Sequence, residues 1–120
     1  MPSCPIAAVM VHVTEPEAAL AWYSEVFPRA VRQSSADGRF HFLVLDEVQL
    51  EFVPADSKVN SGPAGSVVYW RVPSLEQALR LCSEVGASLY RGPMQIEAGM
   101  SMCQVRDPWG NCIGLRGPTT

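Results

Sequence analysis

Lysine is nearly missing from this chain: Lys58 stands alone, and the other basic residues are arginines scattered along the sequence. Twelve acidic residues against nine basic ones leave a net charge of −3, and no basic cluster forms. Nucleic-acid binding needs a basic footprint that displaces counterions, so no nucleic-acid partner is expected. Charge of either sign is scarce as well, at 18% of residues against roughly 25% in an average soluble domain. A chain this short of charge is expected to cover part of its surface with a second copy, as a homodimer.

Long hydrophobic runs are also absent. The apolar run Ala7 to Val11 falls far short of the roughly 20 residues that span a bilayer, so no membrane partner is expected. Met1 to Ile6 carries no basic region leading into an apolar stretch, which argues against a secretory signal and makes the cytoplasm the expected address. The cysteines Cys4, Cys82, Cys103 and Cys112 form no CxxC pair and no framework spacing. Disulfide scaffolds and zinc ribbons require such spacing, so all four read as reduced, structural thiols.

What is present suffices for a real core. The 120 residues are 48% hydrophobic; a chain of this mass exposes roughly 6,400 Å² when folded against roughly 19,000 Å² unfolded. The strongest organisational signal is an internal repeat. Residues 9–26 and 68–85, offset by 59, match at eight of 18 positions, among them Val13/Val72, Glu17/Glu76, Leu20/Leu79 and Val26/Val85. Chance gives about one match, so the two halves read as copies of one unit. Between them, residues 54–65 are rich in Pro, Gly, Ser, Asp and Asn and read as a linker.

Each copy opens with a strand and a helix. Ala7–Val13 is β-branched and apolar; Thr14 or Glu15 can cap a helix with Pro16 in its first turn, and Pro28 ends it. In the second copy Val67–Val72 is the strand and Ser74 the cap, with Gln77 as its capping-box partner and Gly86 as the stop. Strand candidates follow at Val31–Ser34, Phe40–Leu45 and Val48–Val53, with Asp37-Gly38 as a hairpin turn, and again at Leu89–Arg91, Ser101–Arg106 and Cys112–Arg116. The segment from Gly92 to Gly99 reads as a connector or as a cover for a pocket mouth. The order is βαβββ twice. A ferredoxin-like βαββαβ domain is the competing arrangement, but it leaves at least two strands unassigned.

Strand alternation sorts the side chains by face. Val9, Val11 and Val13 form an apolar set in the first strand, leaving Ala8, Met10 and His12 on the other side. In the second copy Val68, Trp70 and Val72 oppose Val67, Tyr69 and Arg71, which makes His12 and Arg71 equivalent. Glu51 alternates with large apolar residues, and Arg116 with Ile113 and Leu115. Each half therefore sends polar groups to the face opposite its helix.

The tandem layout, the opening Val13-x-Glu15 into Ala19-Leu20-x-Trp22-Tyr23, and the stretch Asp107-Pro108-Trp109-Gly110-Asn111-Cys112-Ile113-Gly114-Leu115 resemble the vicinal oxygen chelate superfamily. This is the glyoxalase, bleomycin-resistance protein and extradiol dioxygenase group. The resemblance covers roughly residues 6–116; its Asp-Pro-x-Gly-Asn element is moderately specific alone and more so beside the repeat. It implies a single α+β domain over 1–120 in which βαβββ modules at 6–53 and 66–116 form a cupped mixed sheet around one pocket. It also implies a homodimer, with modules exchanged between chains in some members.

Metal enzymes of that superfamily place one ligand on the first and fourth strand of each module. The matching positions here are Ala8, Glu51, Val67 and Gly114, and only Glu51 offers a donor. A lone carboxylate cannot hold a catalytic metal, so no metal and no cofactor are expected. A relocated site would draw on His12 and Glu51, with His41 the only other histidine.

His12 and Arg71 have an ordinary reading as strand-end residues that meet solvent or a nearby carboxylate. Their functional reading gives Arg71 a carboxylate or phosphate to fork onto and His12 a hydrogen bond or proton to exchange. Glu51 is either a paired, buried carboxylate, a receiver for a cationic ligand, or a general base. Tyr69, Met10, Phe42, Met102 and Trp109 supply apolar and aromatic surface, as core packing or as the wall of a small-molecule site. The leading expectation is a metal-independent protein that sequesters a small organic molecule, held by stacking on Tyr69 and Trp109 and oriented by His12, Glu51 and Arg71. The alternatives are a lyase, isomerase or dioxygenase with a relocated metal site using Glu51, and an accessory domain with a vestigial pocket.

Overall fold

The computed structural model describes residues 6–63 and 66–120, so Cys4 lies outside the described residues. The chain divides into two compact units, Met1–Ser61 and Gly62–Thr120. In the first, β1 (Ala8–Val13), α1 (Pro16–Val26), β2 (Val31–Ser34), β3 (His41–Leu45) and β4 (Val48–Pro54) follow one another. The second repeats the order with β5 (Val68–Arg71), α2 (Leu75–Glu84), β6 (Ser88–Glu97), β7 (Met100–Arg106) and β8 (Cys112–Pro118).

Each unit closes its own four-stranded sheet, β1-β4-β3-β2 and β5-β8-β7-β6. Both sheets are mixed: the first and last strands of each unit run parallel, and the remaining pairs are antiparallel. A helix crosses between the parallel strands, as a parallel pair requires. The repeat persists at the level of register. Val9 pairs with Leu50 and Met10 with Glu51 in one unit; Val68 pairs with Ile113 and Tyr69 with Gly114 in the other.

The helices form for local reasons. Pro16 occupies the first turn of α1 after Glu15, whose side chain makes no capping bond; the proline ring presets the helical φ there. Ser74 caps α2 by accepting from the Gln77 amide at 3.2 Å. Ala19, Leu20, Trp22, Tyr23 and Val26 form the buried stripe of α1. Tyr23 meets Phe52 of β4 at 4.8 Å between ring centroids and Trp22 edge-on at 5.0 Å, contacts worth about 0.5–1.5 kcal/mol per pair beyond burial. The helix-side face of the first sheet supplies Val13, Leu43, Leu50 and Phe52 to this core. The second core gathers Leu75, Cys82, Cys103, Val105, Ile113 and Leu115.

One segment departs from its expectation. Gly92 to Gly99 is no loop over a pocket: β6 continues through it to Glu97, paired with β7 across register shifts on either side of Arg91 and again after Gln95. Gly92 and Pro93 look like breakers in sequence, yet they serve the irregular part of a strand. Gly92 has φ of +81°, and a side chain there would come within 3.0 Å of the Met102 carbonyl oxygen, so only glycine fits.

No helix among the described residues is long and apolar enough to cross a membrane.

Candidate functional site

In the first unit the sheet face opposite α1 carries Met10 and His12 from β1 and Glu51 and Val53 from β4. Met10 stands beside Glu51, and His12 beside Val53. Glu51 is half-buried and Met10 is 52% exposed. Phe42 of β3 is buried on the same face by alternation. His12 and Glu51 thus share a face, two residues apart along neighbouring strands. His12 lies near enough to Asp56 for its charge to help hold that carboxyl below its ordinary value, after the amides of Val59 and Lys58, which contribute more. His41 starts β3 and pairs with Ser34, whereas His12 pairs with β4.

The second unit shows how a sequence position can be closed to ligation. Tyr69 reaches from β5 across Gly114 of β8. A side chain at Gly114 would lie 2.5 Å from Tyr69 Cδ2, so the ring occupies the space into which a residue-114 ligand would project. On the far side of that space Gln104 Nε2 donates to the Tyr69 hydroxyl at 2.8 Å. The other end of the same amide, Oε1, accepts from the Cys112 thiol at 3.3 Å. The Arg116 guanidinium sits over the Tyr69 ring, 5.1 Å from its centroid. Glycine at 114 and the amide at 104 therefore fix the tyrosine, and the tyrosine carries an arginine.

Arg71 and Arg116 are Cα partners on adjacent parallel strands, and Met102 continues the row on β7. The neighbouring row runs Tyr69, Gly114, Gln104 and Arg91; the next pairs Cys112 with Arg106. Arg106 donates from Nε to the Gly110 carbonyl and lies 5.1 Å from the Tyr90 ring centroid. All these side chains share the face turned away from α2, because Ile113, Leu115, Cys103 and Val105 alternate with them into the core. Gln104, Cys112, Arg116 and Arg106 complete this surface. Sequence reading placed Arg116 on this face and gave no role to it or to Gln104, Arg106 and Cys112; their residue types carry no motif, and only the register across β7 and β8 unites them.

Trp109 is placed differently from Tyr69. It sits half-buried in the turn between β7 and β8, where the buried Asp107 carboxylate accepts from the Trp109 amide at 2.9 Å and the Asn111 amide at 2.8 Å. Asn111 Oδ1 accepts in turn from the Gly62 amide at 2.7 Å. The Asp-Pro-Trp-Gly-Asn stretch is thus a turn-building device, with both polar side chains consumed by backbone groups.

Of the four positions that the resemblance implies for metal ligands, Ala8, Glu51, Val67 and Gly114, only Glu51 offers a donor. Ala8 and Val67 have no donor, and the Tyr69 ring fills the space at Gly114. Among the described residues no group of three or more His, Cys, Asp or Glu could hold a metal ion. Cys82 and Cys103 are buried in the second core. Burial pushes both thiols up, Cys103 to about 11 with help from the neighbouring Cys82, so neither is a nucleophile near neutral pH. Desolvation raises Cys112 too, against the opposing pull of Arg106 and Arg91. A separate depression of about 230 Å³ lies on the helix side, lined by Leu75, Glu76, Leu79, Pro93, Ser101 and Thr119, away from the Tyr69 face.

Comparison with known proteins agrees with this fold. Residues 6–115 match the family model described as Glyoxalase/Bleomycin resistance protein/Dioxygenase superfamily. Among solved structures, a glyoxalase/bleomycin resistance protein/dioxygenase family enzyme from Burkholderia phytofirmans PsJN is similar at a TM-score of 0.73 and 17% identity, over 93% of this chain and 97% of that one. TnmS3, an antibiotic binding protein from Streptomyces sp. CB03234, is similar at 0.70 and 21% identity, over 99% of each chain. An integron cassette protein from the mobile metagenome of V. cholerae is similar at 0.68 and 19% identity, over 98% of this chain and 97% of that one. No curated protein sequence matches this one.

Proposed function

Because the chain belongs to the Glyoxalase/Bleomycin resistance protein/Dioxygenase superfamily, we propose that it is one of the members that bind a small organic molecule without a metal, and that it acts by sequestration rather than turnover. The observation that carries this reading is the Tyr69 ring lying across Gly114. The metal chemistry of the superfamily needs donors on the first and fourth strands of both modules, and in the second module a locked aromatic side chain stands in their place. TnmS3, similar in fold over its whole length, is an antibiotic binding protein, which adds a precedent for binding on this scaffold.

The geometry refines the parts. Tyr69 is a positioning residue, since its ring lies against Gly114 and beneath the Arg116 guanidinium. A ligand on this face meets Arg116 before it meets the ring. On the first module His12 and Glu51 are the polar groups of the face opposite α1, and on the second Trp109 belongs to the β7–β8 turn. The protein works as a homodimer: β6 is an edge strand of its sheet with Leu89, Tyr90, Met94 and Ile96 exposed, and an apolar edge of this kind is covered in a stable protein.

The test is a thermal-shift screen of aromatic and heteroaromatic small molecules, run before and after treatment with a chelator. Stabilising ligands whose effect survives chelation are the expected result; at a ligand concentration of 100 Kd the gain is about 2.7 kcal/mol. Ligands that act only before chelation, or turnover abolished by Glu51→Gln, would move the protein to the metal-enzyme reading.

A further inference from the structure

We propose that the second module holds an oxyanion site in which the guanidinium groups of Arg71 and Arg116 clamp a carboxylate or phosphate group carried by the small organic ligand. The inference rests on the small-molecule reading above and names its ligand class.

The first argument is the placement of like charges. Arg71 and Arg116 are direct partners on adjacent strands, separated by about 4.8 Å of backbone. Like charges placed side by side in a sheet destabilise it, and neither arginine forms an ion pair with a carboxylate among the described residues. The ion pairs among the described residues are Arg32–Glu17 and Arg80–Glu76, so no arginine of this face takes part in one. Two further arginines, Arg91 and Arg106, stand on the same face.

The acidic residues of this module are elsewhere. Residues 62–120 hold four acidic and five basic residues, while residues 1–61 hold eight and four. Glu76 and Glu84 belong to α2, behind the sheet. Asp107 is spent on turn amides. Glu97, at the end of β6 opposite Met100, is on the arginine face but separated from β8 by β7.

The second argument is preorganisation. Arg106 is committed to the Gly110 carbonyl and to Tyr90, whereas Arg116 is only laid over Tyr69, which leaves its donors for a ligand. Arg71 is exposed, and its side chain forms no ion pair among the described residues. Tyr69 itself is fixed from two sides, by Gly114 and by Gln104. A guanidinium held in one orientation loses less entropy when it forks onto an oxyanion. The row then continues from the two arginines into Met102 and on to Met94, an apolar strip beside the clamp. An organic molecule with an anionic head and an apolar body matches that order, and thioethers adapt to varied bodies.

The experiment uses the whole chain and matched probes: naphthoate, naphthyl phosphate, naphthalenemethanol and naphthylmethylamine, with inorganic phosphate as the bodiless control. Binding is followed by calorimetry and by the arginine Nε–Hε signals in NMR. One or both anionic probes bind about tenfold more tightly than the alcohol, and the stronger of the two tells carboxylate from phosphate. The Arg71 and Arg116 signals shift on binding. Arg71→Gln and Arg116→Gln each erase the preference for the anion while circular dichroism shows the fold intact, and Arg71→Lys restores part of it. Equal binding of all four probes, or preference for the amine, overturns the oxyanion site and leaves the small-molecule reading in place. Failure of every probe overturns it also; the small-molecule reading then falls only if the broader thermal-shift screen is empty as well.

Discussion

Gly114 shows how one residue type sets what a site can do. Its missing side chain admits the Tyr69 ring, and the ring in turn carries Arg116. Gly114→Ala places a methyl group 2.5 Å from Tyr69 Cδ2 and costs about 1–3 kcal/mol, the usual penalty for overpacking. Adding Tyr69→Ala recovers most of that loss, so a double-mutant cycle measured by urea unfolding shows strong coupling. Cys103 gives a second residue-scale prediction. Its thiol is raised from 9.0 to about 11 by burial, so the folded chain holds this proton more tightly than the unfolded chain does. The resulting stability is complete below about pH 9 and is lost as pH rises toward 11. Unfolding free energies between those limits should fall less steeply for Cys103→Ala than for the parent, although the variant is less stable at neutral pH.

At the scale of elements, the β7–β8 turn carries more of the fold than of the chemistry. Asp107→Ala leaves the Trp109 and Asn111 amides without their acceptor and is expected to cost about 2 kcal/mol, lowering the melting temperature without removing any ligand contact on the sheet face. The same turn was the most legible feature of the sequence, because a turn is encoded by neighbours in the chain. The strands β1, β4, β7 and β8 and both helices were legible for a similar reason: alternation, a 3.6-residue stripe and caps are local patterns. β6 was legible only over Leu89–Arg91, since Gly92 and Pro93 read as breakers when they in fact lie among the register shifts of a longer strand. The polar chain from Cys112 through Gln104 to Tyr69 was equally invisible. It joins three strands, and nothing in the sequence states the register that brings them together.

At the scale of the whole molecule, charge and exposed apolar surface are both unevenly distributed. The acidic excess lies in residues 1–61 and the arginine face in residues 62–120, while exposed Leu89, Tyr90, Met94 and Ile96 line β6. Sedimentation equilibrium should give twice the 13.1 kDa chain mass, and Leu89→Glu combined with Ile96→Glu should return the monomer; a monomeric parent would refute the dimer. The central claim of the proposal is that this member of the superfamily binds its ligand without a metal. Elemental analysis of protein purified without chelator or affinity nickel tests it most directly. The account predicts zinc, iron, manganese and nickel only in traces far below one per chain. About one equivalent of any of them, retained through dialysis, would contradict it.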